Sequence, residues 1–414
     1  MQIAYEQLSE EDMLKRAKGH IFSTGLHDAA SNLCNWNMQY GLAKIHYLQN
    51  SLGLEPNATF IAAPDATVTR NKQRWQDGFG YGGKIAWGEG NEKLVVLDTM
   101  PNACGMFVGG LTELPDPKKI IEGIEILNQQ EDYIDDIKIN WDFAVSNHFI
   151  DVFEFEPLTL EFDLPFRYAL VIHSAASEFR GDNSSKYNFG LYYHRSKILQ
   201  EIAETLKTPF GKIKFLTGEY ANQYLDFFKY VSSISQKKRL IAAKHLFNDE
   251  ISEITNPNHQ GLLNLNEILL GSQNTKDESA NRLFPLTLRA DLPAYLMTGK
   301  VNFNEDSIEY LGFSKRADKY GVRHRLLHAN IIPHGGGYMF PHILEVTNVF
   351  QTANGTRYFA CDLAAGPVDT QQIIDSPREI QFVYRGRQVV SRTQELGLGT
   401  VVAKLIPKVV LKVG

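Results

Sequence analysis

Three cysteines and twelve histidines are spread over 414 residues, and a few of them stand where chemistry is feasible. Cys104 lies in Pro101-Asn102-Ala103-Cys104-Gly105-Met106, directly after an apolar run that reads as a strand. A thiolate between Ala and Gly at a strand end is a good soft ligand for manganese, iron or zinc. The bland alternative is a small buried apolar side chain. His148 opens a strand-like run in Ser146-Asn147-His148-Phe149, at the kind of loop-to-strand junction where binding groups gather. His173 ends the apolar run Val171-Ile172-His173, so it is either buried with a partner or held for a metal. His259 sits in the loop Asn258-His259-Gln260-Gly261. Taken singly, each is more often a satisfied structural side chain than a ligand. His334 precedes Gly335-Gly336-Gly337, which reads as a flexible turn or as a backbone-amide cradle for phosphate near Arg323 and Arg325. Tyr384-Arg385-Gly386-Arg387 reads as a solvated basic face. Phosphate-loop, dinucleotide, His-Glu-x-x-His, Cys-x-x-Cys and nucleophile-elbow motifs are absent.

The elements that must position these groups follow from periodicity. Gln7 to Gly53 reads as mostly helical, with Ser9-Glu10-Glu11-Asp12 as a helix start whose acids face the positive dipole end. From Ala58 the pattern changes to short strands with glycine corners: Thr59 to Ala63, Lys84 to Trp87 and Leu94 to Leu97. Pro117 to Gln130 is a helix with Ile120, Ile121, Ile124 and Leu127 on one face. Phe149 to Phe153 and Tyr168 to Ile172 read as strands, Ser196 to Leu206 and Glu219 to Phe247 as helices, and Val409 to Leu411 as a final strand. No repeat or linker divides the chain, so the expected fold class is α+β, one large unit of short mixed strands with a long central helix. A net charge of −6 excludes a generic nucleic-acid sponge, and 43% hydrophobic against 22% charged residues excludes disorder. Three thiols build no disulfide framework, which favours a reducing, cytoplasmic setting. No apolar run approaches the ~20 residues that span a bilayer, so no membrane partner is expected.

The dispersed motifs, taken in order, resemble the RtcB RNA ligases. Pro64-Asp65 with the glycine-rich Gly78 to Gly83 resembles that family's Pro-Asp-x-His segment and turn. Asn102 to Met106 resembles its Asp-Ile-Gly-Cys-Gly-Met, Asn147 to Asp151 its Gly-Asn-His-Phe-x-Glu, and His173 to Gly181 its His-Ser-Gly-Ser-Arg-Gly with an insertion. The long helix with Lys238-Arg239 resembles its Asn-Arg helix, His259-Gln260 its His-Asn, Arg289 to Ala294 its Arg-Lys-Gly-Ala-x-Pro-Ala, and Val409 to Gly414 its Val-Lys-Gly ending. The resemblance runs from about Asn57 to the end. It implies an RtcB-like catalytic domain over residues 1–414, with 1–56 a helical N-terminal extension packed on it. It implies an enzyme that joins RNA 3′-phosphate or 2′,3′-cyclic phosphate ends to 5′-hydroxyl ends, using one or two Mn²⁺ ions and GTP in RNA repair or tRNA splicing. Cys104, His148, His173 and His259 would hold the metal. Asn147, Phe149, Asp151 and Lys412 would line the nucleotide.

Departures from the family pattern bear on mechanism. Pro101 stands where the family has its first Asp ligand, so a second ion is expected to be weak or absent unless Asp98 substitutes. Thr67 replaces the His of Pro-Asp-x-His. The segment that resembles the nucleophile motif, Ala360 to Pro367, puts Leu363 in the histidine's place and is the favoured register; the rival register uses His334, the one visible substitute nucleophile. Two alternatives stand beside the ligase: a catalytically altered pseudo-ligase that binds metal and RNA or nucleotide, and a metal-dependent phosphoesterase on the same scaffold.

Overall fold

The computed structural model describes residues 5–143, 145–159, 162, 164–247, 250–367 and 370–412, with the backbone alone at residue 279. Val413 and Gly414, the end of the C-terminal motif, lie outside them. The architecture is α+β. Its largest sheet has seven strands, antiparallel at every pairing, in the order Ser252–Thr255, Gly105–Leu111, Tyr168–Ser174, Phe149–Pro157, Gly399–Leu411, Ala294–Gly299, Leu283–Leu286. A second sheet of five strands runs Ile21–Ser23, Thr59–Thr67, Tyr81–Ala86, Glu267–Leu270, Gln260–Asn264. The 30-residue helix Gly218–Phe247 buries Tyr224, Phe227, Phe228, Val231 and Ile234 in the main core. Among the described residues no helix is long and apolar enough to cross a membrane.

Several local expectations change under tertiary pairing. The N-terminal region is two helices, Glu10–Gly19 and Ala29–Ser51, separated by the strand Ile21–Ser23. That strand pairs in parallel with Thr59–Thr67, so the first fifty residues supply an edge of the second sheet as well as helices. The Ser9 hydroxyl accepts the Asp12 N–H at 3.1 Å, as the helix-start signature requires. Ser196 to Leu206 does not form one helix: it splits into the helix Lys197–Ile202 and the strand Glu204–Thr208. Gly211, at φ +109°, turns that strand into a hairpin with Gly211–Thr217, and the hairpin's register overrides helical propensity. The strand expected to stop at Ala63 continues through Pro64 and Asp65 to Thr67 with an irregular register after Ala62, which carries Asp65 into the interior.

The pairings gather the candidate residues at one end of the large sheet. Met106 is opposite His173, and His173 is opposite Phe149, so Cys104, His148 and His173 leave neighbouring strands at the same edge. Gly105 bridges to Asn258, and the His259 N–H donates to the Cys104 carbonyl at 2.8 Å, which ties the second sheet's entry loop to the first.

Candidate metal centre

Cys104, His148, His173 and His259 meet in one buried cluster, each between 2% and 7% exposed. Cys104 Sγ lies 3.1 Å from His173 Nε2 and 3.5 Å from His148 Nε2. His173 Nε2 lies 3.3 Å from His259 Nε2. Metal–ligand bonds near 2.0–2.3 Å give tetrahedral ligand–ligand edges of about 3.3–3.8 Å, so the donors stand near the spacing an ion imposes. Cys104, His173 and His259 form the mutually closest group, and His148 flanks it on the sulfur side.

The outer nitrogens show why the imidazoles face inward. His173 Nδ1 donates to the Asn147 carbonyl at 3.0 Å. His148 Nδ1 lies 3.1 Å from both the carbonyl and a carboxylate oxygen of Asp142. With those protons placed outside, the Nε2 lone pairs of His148 and His173 converge on the Cys104 sulfur, and one thiol proton cannot satisfy both. His259 Nδ1 is buried without a partner. The donor chemistry therefore fits a bound transition-metal ion.

Electrostatics agree with that reading. Burial would raise the Cys104 thiol, but the imidazoles around it, His173 first and then His148 and His259, favour the thiolate and hold it well below its ordinary value. Of these imidazoles, His148 alone is pushed up, to about 10: burial opposes its charge, yet the Cys104 thiolate and Asp142 outweigh it, and a bound cation would displace the proton from its Nε2. Burial holds His259 down at about 3 and lowers His173, so both present neutral imidazole near pH 7.

The long helix braces the cluster from beneath. Lys238 Nζ donates to Asp142 at 3.2 Å and Glu178 at 3.3 Å, and to the carbonyls of Asn140 and Ala175. Arg239, fully buried, donates to the side-chain oxygens of Asn256 and Asn258 at 2.7 Å each, fixing the loop that delivers His259.

His334 joins the cluster from a fifth segment, just beyond Ile331–Pro333. Its ring centroid is 4.4 Å from that of His259. Asp65 Oδ2 accepts His334 Nδ1–H at 3.0 Å and the backbone N–H groups of His334 and Gly335 at 3.2 and 3.3 Å. Burial would lower His334; the Asp65 hydrogen bond and charge outweigh it and hold the imidazole above its ordinary value. Leu363 lies elsewhere, paired with Ile343 in a three-stranded sheet and packed against the apolar cluster that includes Phe340 and Cys361. Of the two registers for the nucleophile, the favoured one leads away from the centre and the rival leads into it.

The nucleotide candidates occupy the adjoining rim. Phe149 meets the His173 ring edge-on at 5.4 Å, and Asn147 is exposed. Asp151 is buried, accepts the Leu411 N–H at 3.0 Å, and is pushed up to about 7 by burial. Lys412 Nζ donates to the carbonyls of Ser146 and His148 at 2.7 and 2.6 Å, which pins the chain end to the loop carrying His148.

The structure decides two open points and overturns one expectation. Asp98 is committed to Lys44 and Lys214, at 3.2 and 3.1 Å, and does not replace the missing carboxylate at Pro101. Arg385 is no solvated face: it is fully buried and clamps Asp28 through two hydrogen bonds of 2.6 and 2.7 Å. The triple glycine is packed rather than cradling. A Cβ on Gly336 would meet the Arg385 carbonyl at 2.6 Å, and Gly337, at φ +66°, would meet the Asp65 carbonyl at 2.5 Å. Arg323 and Arg325, near it in sequence, are spent on Asp318 and Glu89.

Sequence reasoning assigned no role to Asp65, Asp142, Lys238 or Arg239. An acid inside the apolar run Thr59 to Ala66 is the signal that marks Asp65; Asp142 carries none. No protein-family model matches the chain, and no curated protein matches it.

Proposed function

We propose that this protein is a divergent RtcB-like RNA ligase, with an RtcB-like fold, that joins 3′-phosphate or 2′,3′-cyclic phosphate ends to 5′-hydroxyl ends with GTP and manganese. One observation carries the reading: five segments far apart in the chain, quoted in the family's order or as its substitute nucleophile, deliver Cys104, His148, His173, His259 and His334 to one place. A divalent ion held by Cys104, His173 and His259, with His148 beside them, would polarise phosphate oxygens as a Lewis acid. His334 is the nucleophile. In the neutral ring, with Nδ1–H held by Asp65, the lone pair is on Nε2. Attack on the α-phosphorus of GTP forms the N–P bond and releases pyrophosphate, while the Asp65 carboxylate stabilises the cationic ring. Phe149, Asn147 and Lys412 edge the guanosine side. Incubation with α-labelled GTP and Mn²⁺ is the test. A covalent label that survives denaturation and disappears in His334→Ala, with metal content intact, is the expected result; no label at any Mn²⁺ concentration ends the ligase reading.

The Asp65–His334 pair favours one second reading. A carboxylate that fixes one imidazole tautomer is also the arrangement of a general base. A metal-dependent phosphoesterase on the same residues would release phosphate from RNA 3′-phosphate ends and form no GTP-derived label.

A further inference from the structure

Away from the Cys104 centre, the helices Glu10–Gly19 and Ala29–Ser51 and the strand between them border a cleft of about 340 Å³, closed on its far side by Phe313 and Arg316. Its wall contains Lys18, Arg316, His27, Asn35 and Trp36 and no carboxylate, in a chain whose net charge is −6. The two cations rest on aromatic rings. Lys18 Nζ sits 4.6 Å above the Trp36 ring, and the Arg316 guanidinium sits 4.4 Å above Phe22 and 5.6 Å from Phe313. Neither has a carboxylate partner among the described residues. Aromatic support orders a cation without neutralising it, so both charges stay available to an incoming anion at little ordering cost. Asn35 lies on the same wall, half-buried. Trp36 is held in place by its indole N–H donating to the Val346 carbonyl at 3.2 Å.

We infer that this cleft binds a nucleoside phosphate: the phosphate between Lys18 and Arg316 and the planar base beside the Trp36 indole. The volume lies at the small end of the ligand-pocket range of about 300–1,000 Å³, right for one nucleotide. Two cations select the anion and an indole selects a flat ring; a bare phosphate or an acidic peptide uses only the first of these. The ligand has two sources, a free mononucleotide or one residue of an RNA strand. This site goes beyond the ligase reading, because none of its residues belongs to the Cys104 centre.

The test uses the full chain with two probes, GMP by calorimetry and a fluorescent 5′-hydroxyl oligoribonucleotide by anisotropy. At least one probe is expected to bind saturably. The Lys18→Gln/Arg316→Gln double variant is expected to weaken that probe by about tenfold or more while leaving metal content unchanged. Tight GMP binding with no gain for the strand identifies a mononucleotide site; strand binding that GMP does not displace, with a salt slope reduced in the double variant, identifies a strand contact. Should Arg316→Gln unfold the chain, Lys18→Gln carries the test, since Lys18 is exposed. The inference is overturned if neither probe binds, or if the cleft variants leave both affinities unchanged. Failure of the GTP label does not touch this outcome, because the cleft variants alter no residue of that centre.

Discussion

Asp98 and Cys104, six positions apart, belong to two polar clusters built on opposite plans. Lys44, Lys214, Asp77 and Asp98 form a closed quartet with nitrogen–oxygen distances of 3.0 to 3.7 Å. Two cations face two carboxylates, so the charges cancel within the group. The Cys104 cluster gathers a thiol and imidazoles whose lone pairs point inward, and no lysine or arginine nitrogen is within hydrogen-bond distance of its sulfur among the described residues. The difference separates structure from binding. A buried cluster that neutralises itself holds the fold, and a buried cluster of converging donors is one that could hold a cation.

The sharpest break of that contrast is His173→Ala. It is expected to cut bound transition metal more than tenfold in elemental analysis of protein purified without chelator. It should also abolish the drop in melting temperature that a chelator causes in the parent. Equal metal in variant and parent would place the ion elsewhere, or nowhere.

The quartet should respond in the other currency. Lys44→Met leaves Asp98 and Asp77 short of a cation in the interior, and breaking such a buried pair costs about 3–5 kcal/mol. Denaturant unfolding should register that loss, with metal content at the parent's level. A variant that loses metal instead would merge the two clusters into one functional unit.

Asp151 is a third case, a buried carboxylate with one backbone donor from Leu411 and only the exposed Lys412 nearby. Its folded pKa, about 7, stands above the unfolded value near 3.9, so the native state holds the proton more tightly than the unfolded state. Its ionisation therefore costs nothing below about pH 4, and the cost grows as pH rises until it is complete above about pH 7, where it reaches at most about 4 kcal/mol. Asp151→Asn should raise the melting temperature at pH 8 and leave it unchanged at pH 4. A variant equally stabilised at both values would point to packing rather than charge.

The smallest expected effect sharpens the centre itself. Asp142→Asn keeps an acceptor for His148 but removes the charge shared with Lys238. Supporting groups of this kind are worth about 10–100-fold in metal affinity, and competition against a chromogenic chelator measures it. Unchanged affinity would confine the ion to Cys104, His173 and His259.

The sequence alone determined a good deal. Apolar periodicity marked the long helix, the 117–129 helix and the strands around Phe149 and Tyr168, because local patterning follows burial directly. Cys104, His148 and His173 were visible as polar side chains at the ends of apolar runs, where a chain leaves the core and a donor has to face something. Tertiary structure decided what each of them faces. Residues 104, 148, 173 and 259 become neighbours only through antiparallel register, which no single segment encodes. His334 was separated from Leu363 by the pairing of Arg357–Leu363 with Ile343–Gln351, which carries Leu363 into another sheet. The pairing of Asp65 with His334 joins side chains 269 positions apart, and the commitment of Asp98 to two lysines joins residues 54 and 116 positions apart. Such contacts are fixed by how sheets and helices stack, and a one-dimensional pattern records only that a polar group is buried, never which partner satisfies it.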